Sequence, residues 1–315
     1  MSPRFLPRRE LGRTGFVATQ LGIGDLADRS VPLATCVATL RRALDFGLNL
    51  VDTAPSYENG YSEEVVGHAL AGRRDGVFVI DKIDHFDRPV LPQAGESLAR
   101  LGLASVDAFV LHGVREPEQW DELARPGGRF SELEAAVRDG KARFCGISAH
   151  HPEVLRRALD SGRCDLLLFP LGAFVDERYV SEILPLAKAR GVGSVCFKTF
   201  GAGKLLGDTA GYGQPLAARP RGKWSSGGSD ASGGGTLPRL SVQDCLSYTL
   251  TCDPDVALLG MSFPNEQDSA LAAAEAFSPL AASELERIRS AAARAIRGKG
   301  PCWWNPDPEA GTALE

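Results

Sequence analysis

Short apolar runs recur eight times along this 315-residue chain, at 17–22, 50–52, 77–82, 106–111, 144–147, 166–169, 194–197 and 256–259, and between them the apolar residues shift to spacings of three and four. The first pattern belongs to buried strands and the second to amphipathic helices. Helices are predicted over 33–46, 62–71, 90–100, 130–139, 152–160, 178–190, 242–252 and 266–276, with a further one at 282–296. Gly47, Gly72, Gly140 and Gly191 stand just past four of them, where helices commonly end in the left-handed conformation that glycine tolerates. Strands alternating with helices make a parallel sheet, and eight such units close into a barrel with no edge strand left open. An open α/β sheet is the alternative, and it would need both edges protected. The expected fold is therefore α/β, a (β/α)8 TIM barrel occupying residues 1–315 as a single domain, with an N-terminal β-hairpin around 9–15 and an extra C-terminal helix.

Charge and composition remove several classes of function. A formal net charge of -5 provides no basic field for nucleic acid or an anionic membrane. No apolar run reaches the roughly 18 residues of a membrane span, and the start of the chain lacks a signal-peptide pattern, so a cytoplasmic protein is expected. The seven cysteines are scattered and never at C-x-x-C spacing, which predicts reduced thiols and neither a disulfide frame nor a zinc site. The adjacent His150 and His151 lack the further ligands of a metal motif, and no metal is expected. Residues 201–238 are rich in Gly and Ser, and 225–236 hold almost no apolar residue, so no packed core forms there. Following the seventh strand, this loop reads as either a lid over the barrel mouth or a disordered insert.

Four polar residues fall at or just beyond the C-terminal ends of consecutive predicted strands: Asp52, Tyr57, Lys82 and His112. In a barrel those ends converge on one mouth. Singly, Asp52 reads as a turn former, Tyr57 as a packing residue and His112 as a satisfied core histidine. Lys82 ends the apolar run Val77-Phe78-Val79-Ile80-Asp81-Lys82, and a lysine pointing into a barrel needs a carboxylate partner. Taken together, an Asp52–Lys82 pair beside Tyr57 is expected to lower the phenol from its reference near 10. A neutral His112 is expected to donate a hydrogen bond to a carbonyl oxygen. That set suits carbonyl reduction.

These residues resemble the catalytic tetrad of the aldo-keto reductases, and the resemblance covers nearly the whole chain. Arg9-Glu10-Leu11-Gly12-Arg13-Thr14-Gly15 is similar to that family's opening. Asp52-Thr53-Ala54-Pro55-Ser56-Tyr57 is similar to its Asp-Thr-Ala-x-x-Tyr signature, and Gly60-Tyr61-Ser62-Glu63-Glu64 and Gly67 follow it. The resemblance implies an NAD(P)H-dependent reductase of an aldehyde, ketone or sugar, or an oxidase of the corresponding alcohol, acting on a small-molecule substrate. NADP(H) is the favoured cofactor and NAD(H) the alternative, with Tyr57 as the acid, Asp52 and Lys82 as its tuning pair and His112 as the orienting group. It also implies cofactor contacts: Ser148 for the carboxamide, Phe197 stacked on the nicotinamide, and Gly201 opening the loop beyond. Gly260, Met261, Ser262, Asn265, Gln267 and Asp268 form the turn and helix start for pyrophosphate and adenosine, where backbone amides suit an anion. The pattern departs from the family at Ala149, often Asn, at Leu168, usually Gln, and at 264–268, where no cation awaits a 2′-phosphate. Lys198, Lys204, Arg221 and Lys223 are the candidate replacements.

Phe86, Trp120, Tyr179, Trp303 and Trp304 are the aromatic candidates for a substrate pocket, and the tryptophan pair serves equally as a plug fastening the tail to the barrel. Two other functions fit the same residues. One is a nucleotide-binding regulatory subunit, favoured by the altered carboxamide contacts; the other is a barrel lyase using Lys82 as a Schiff base. No G-x-G-x-x-G turn follows a strand, which removes the Rossmann alternative.

Overall fold

The computed structural model describes residues 5, 7–206, 238–297, 302, 304 and 305. Strands β1 (Arg8–Glu10) and β2 (Val17–Thr19) form an antiparallel hairpin with Arg9 opposite Ala18. Eight parallel strands then close into a barrel: β3 (Leu21–Ile23), β4 (Leu50–Asp52), β5 (Phe78–Ile83), β6 (Ala108–Val114), β7 (Phe144–Ala149), β8 (Leu166–Pro170), β9 (Gly193–Phe197) and β10 (Val256–Leu259). The last strand pairs with both β9 and β3, so no barrel edge is open. Around it lie α1 (Leu33–Asp45), α2 (Tyr61–Leu70), α3 (Val90–Leu101), α4 (Pro117–Ala124), α5 (Arg129–Arg138), α6 (Pro152–Asp160), α7 (Leu184–Ala189), α8 (Val242–Thr251), α9 (Pro264–Glu275) and α10 (Ala282–Ile296). Among the described residues no helix is long and apolar enough to cross a membrane.

Three expectations are corrected. The run 17–22 is not one strand: the Thr19 amide donates to Asn49 Oδ1 at 2.7 Å and the Gln20 amide to the Pro7 carbonyl at 2.8 Å. Those bonds end the hairpin and let the chain start the barrel two residues later. The helix predicted over 178–190 opens as a π-turn, Tyr179–Ile183, before α7; Pro185 has no amide hydrogen with which to continue a regular ladder. Helix α4 was not expected, although Pro117, Trp120 and Leu123 bury one face of it at spacings of three. Of the Gly/Ser-rich stretch, residues 207–237 lie outside the described residues, as do Arg221, Lys223 and Trp303.

The barrel interior is filled by Leu50, Phe78, Ile80, Val110, Leu168 and Val195, and the hairpin adds Leu11 and Ala18 to the same cluster. Phe16 lies 5.1 Å from Phe78 at the start of β5, so the hairpin plugs the N-terminal end and leaves the opposite end as the mouth. Packing at the β7–β8 seam requires glycine at 146, because a Cβ there would stand 2.0 Å from the Leu166 carbonyl oxygen. Residues of opposite parity, such as Val51, Val79, Phe109 and Ile147, join the larger cluster beneath the helices.

Candidate active site

Alternation along a strand decides which side chains face the barrel axis. Leu50, Ile80, Val110 and Val195 face inward, so the same parity two residues later brings Asp52, Lys82, His112 and Phe197 to the mouth. Ser148 follows Gly146 by the same step. The β5–β6 register sets Lys82 opposite Val110.

At the base of the site Lys82 Nζ donates to Asp52 Oδ1 and Oδ2 and to the Thr53 carbonyl, each at 2.7 Å. The two side chains are 1% and 5% exposed, a burial that only a fully engaged ammonium sustains. Desolvation works against the charge, but Asp52 prevails and holds the ammonium above its usual value. Tyr57 opens a tight turn in which Glu58 and Asn59 adopt φ of 49° and 53°, left-handed values that residues with side chains reach at a cost. Arg29 braces that turn through the carbonyls of Glu58, at 2.5 Å, and Asn59, at 2.8 Å. Lys82 Nζ lies 4.5 Å from the centroid of the Tyr57 ring and hydrogen-bonds the phenol.

Burial raises the Tyr57 phenol above its ordinary value, with Lys82 opposing and Asp52 and Asp25 adding to the rise. The expected lowering is thereby corrected: removal from water outweighs one ammonium already shared with Asp52. The phenol is held neutral, as a proton donor must be.

His112 meets the Tyr57 ring edge-on at 5.6 Å, and its Nδ1 hydrogen-bonds Asp84 Oδ1. The second oxygen of Asp84 accepts the Ser56 amide at 2.7 Å. Burial works against an ionised Asp84, but His112 and the Ser56 amide overcome it and keep the carboxyl below the usual range. A carboxylate that takes the Nδ1 proton leaves Nε2 of a neutral ring as an acceptor, so the ring donates from Nε2 only as the imidazolium. The neutral donor expected of His112 is corrected accordingly. Asp84 is a site residue that sequence reasoning missed; the available signal is its place two residues after Lys82, on the same strand face.

The cofactor side is mixed. Ser148 is buried at the end of β7. The half-buried Phe197 ring lies 5.0 Å from His150, with Lys198 Nζ 5.5 Å from its centroid. Burial holds His150 neutral and pushes the Lys198 ammonium down to about 8. Gly201 is buried at φ 53°. Gly260 lets β10 pass against the loop after β3, since a Cβ would stand 2.8 Å from the Asp25 carbonyl oxygen. Asn265 and Asp268 are exposed on α9.

Three assignments on this turn change. The Met261 side chain belongs to the core, which leaves its backbone for a ligand. The Ser262 amide is taken by the buried Glu266 carboxylate at 2.8 Å. Gln267 is a buried strut between α9 and α1: its Nε2 donates to the Thr39 carbonyl at 2.9 Å, and its Oε1 accepts from Arg42 at 2.9 Å. Arg42, also missed, brings a guanidinium to this turn and pairs with Asp268 at 2.7 Å.

The aromatic candidates separate. Trp120 packs edge-on against Phe130 at 5.3 Å in the core, and Tyr179 is buried against Phe169; neither is a pocket wall. Phe86 is half-buried, its carbonyl held by Arg129 at 2.8 Å. Trp304 is fully buried and donates Nε1 to the Phe174 carbonyl at 3.0 Å, which makes it an anchor for the tail.

A family model described as the Aldo/keto reductase family matches residues 18–293. The chain belongs to that family. L-galactose dehydrogenase of Arabidopsis thaliana is 30% identical to this aldo-keto reductase over 214 residues, covering 62% of this chain and 66% of that protein, a little under two thirds of its length. Among solved structures, an aldo-keto reductase of Bacillus halodurans in its holo form covers 90% of this chain and 95% of its own, with a TM-score of 0.70 at 22% identity. Another from Klebsiella pneumoniae, in complex with NADPH, covers 95% of each chain with a TM-score of 0.63 at 21% identity. Both have the same barrel.

Proposed function

We propose that this aldo-keto reductase moves hydride between NADP(H) and the carbonyl of a small aldehyde, ketone or sugar, with Tyr57 as the proton donor in reduction. The observation that carries the reading is the buried Lys82–Asp52 pair placed directly beneath the Tyr57 phenol. When bound, the nicotinamide supplies the hydride. Tyr57 holds the proton that the resulting alkoxide takes, Lys82 stabilises the phenolate left behind, and His112, oriented by Asp84, fixes the oxygen between them.

The mouth suits such a nucleotide: it offers the Phe197 ring, the Ser148 hydroxyl and the close backbone passage that Gly260 permits. NADP(H) is favoured because Arg42 brings a guanidinium to the first turns of α9, and the NADPH complex of the Klebsiella relative agrees. A Schiff-base role for Lys82 is opposed by its charge and its hydrogen bonds, since an ammonium is no nucleophile.

The test follows nicotinamide absorbance with NADPH or NADH and a panel of aldehydes, ketones and sugars. Turnover in the wild type that disappears in Tyr57→Phe is the expected result. Undiminished turnover in that variant would refute the assignment, and nucleotide binding without turnover across the panel would favour the regulatory role.

A further inference from the structure

Asp25 sits two residues beyond β3, on the wall of the mouth that neither the tetrad nor the expected cofactor contacts use. Its Oδ1 accepts the Ala27 amide at 3.0 Å, and the Ser62 hydroxyl hydrogen-bonds its carboxyl. Ser62 in turn accepts the Thr53 hydroxyl at 2.9 Å, and Thr53 offers its carbonyl to Lys82. One chain of hydrogen bonds therefore runs from Asp25 to the ammonium under Tyr57. The titratable groups that act on Asp25, or that it acts on, are Lys82 from β5, Tyr57 and Glu58 from the turn after β4, and Cys36 from α1.

We infer that Asp25 is a positioning residue for proton transfer, a second carboxylate that shares the Lys82 ammonium with Asp52 and so sets how readily the Tyr57 phenol releases its proton. The inference rests on the carbonyl-reductase reading above. When Asp25 is ionised, two negative charges face one ammonium and the phenolate left after proton donation is disfavoured. When Asp25 is neutral, that penalty lapses and the phenol becomes the stronger acid. Burial raises the Asp25 carboxyl to about 6, against the Ala27 amide, the Ser62 hydroxyl and the Lys82 charge. The change of charge thus falls within the working range of an enzyme, with reduction favoured as the pH drops through that value.

Two measurements test this. The first is the pH profile of kcat for aldehyde reduction. The wild type should show an inflection near pH 6 with the faster plateau on the acid side, whereas Asp25→Asn should hold that plateau across the inflection. The second is a carboxyl 13C NMR titration of the protein without nucleotide. A resonance absent from Asp25→Asn should titrate near pH 6 and move upward in Lys82→Met, where the charge that lowers it is gone, by about one pH unit.

Should Asp25→Asn fail to fold, Ser62→Ala serves instead, because loss of the hydroxyl should move both inflections to higher pH. Superimposable profiles, or an Asp25 titration indifferent to Lys82, would overturn the inference. Full activity in Tyr57→Phe would instead overturn the reading beneath it, so the two failures are distinguishable.

Discussion

Asp84 joins the His112 ring to the Ser56 amide, one residue before Tyr57, and so fixes the orienting group and the acid relative to each other. Asparagine has the same shape but lacks the charge that favours an imidazolium. Asp84→Asn should therefore lower kcat by about 10- to 100-fold, the scale seen when the partner orienting a functional histidine is lost. KM should change less, and steady-state kinetics with a single aldehyde decide the matter. Lys82→Met removes the ammonium that stabilises the phenolate and should cost more than about a hundredfold in turnover; a near-native rate would leave Tyr57 without its partner. Asp52, Lys82 and His112 were legible because each ends an apolar run at inward parity, and Tyr57 because it closes a recognisable signature. Asp25 and Asp84 were not, because they stand beyond the strand ends in loops, and their partners lie 28 or more residues away. The acidity of Tyr57 was misjudged for a related reason: residue types reveal the neighbouring charge but not the loss of water.

Strand β5 has two different faces at its C-terminal half. Lys82 points to the mouth, while Asp81 points outward beneath α2 and α3, fully buried, its Oδ1 accepting the Lys82 amide at 2.8 Å. Its other oxygen has no hydrogen-bond partner, and the Glu63–Arg100 pair is its charged neighbour. Burial first and the Glu63 charge second push the Asp81 carboxyl well above its usual range. The folded chain therefore keeps a proton that the unfolded chain releases above about pH 4. The stability that proton supports is complete below that pH and declines as the pH rises toward the folded value. Asp81→Asn has no proton to lose, so its melting temperature should vary less between pH 5 and 8 and exceed the wild type at pH 8 by about 2 °C or more. A lower value at pH 8, by differential scanning calorimetry, would show that the carboxyl contributes something an amide cannot. At this scale the alternation of elements was readable from spacing alone. Misreadings came where tertiary hydrogen bonds cut a run, as at Thr19 and Gln20, or where a helix was as short as α4.

Across the molecule, the loops after β8 and β9 meet at Trp304. Its Nε1 donates to the Phe174 carbonyl, its own carbonyl receives the Tyr179 hydroxyl at 3.5 Å, and the Asn305 side chain accepts the Asp176 amide at 3.0 Å. The ammonium groups of Lys198 and Lys204 lie 5.8 and 5.7 Å from the centre of its ring, close enough for cation–π attraction. These partners all belong to the mouth, whereas the barrel interior is a separate cluster closed from below by the hairpin. Segments held by few contacts open independently of the core. Trp304→Ala should therefore release the tail without unfolding the barrel. The main thermal transition should stay within about 2 °C of the wild type, well short of the roughly 3–5 kcal/mol that truncating a tryptophan in a cooperative core costs. Protease should cut near residues 297–305 much faster, and KM for the carbonyl substrate should rise as the two loops lose their common anchor. Trp304→Phe keeps the ring but not the bond to Phe174, and should fall between. A single large drop in the main transition would instead place the tail inside the cooperative unit of the barrel.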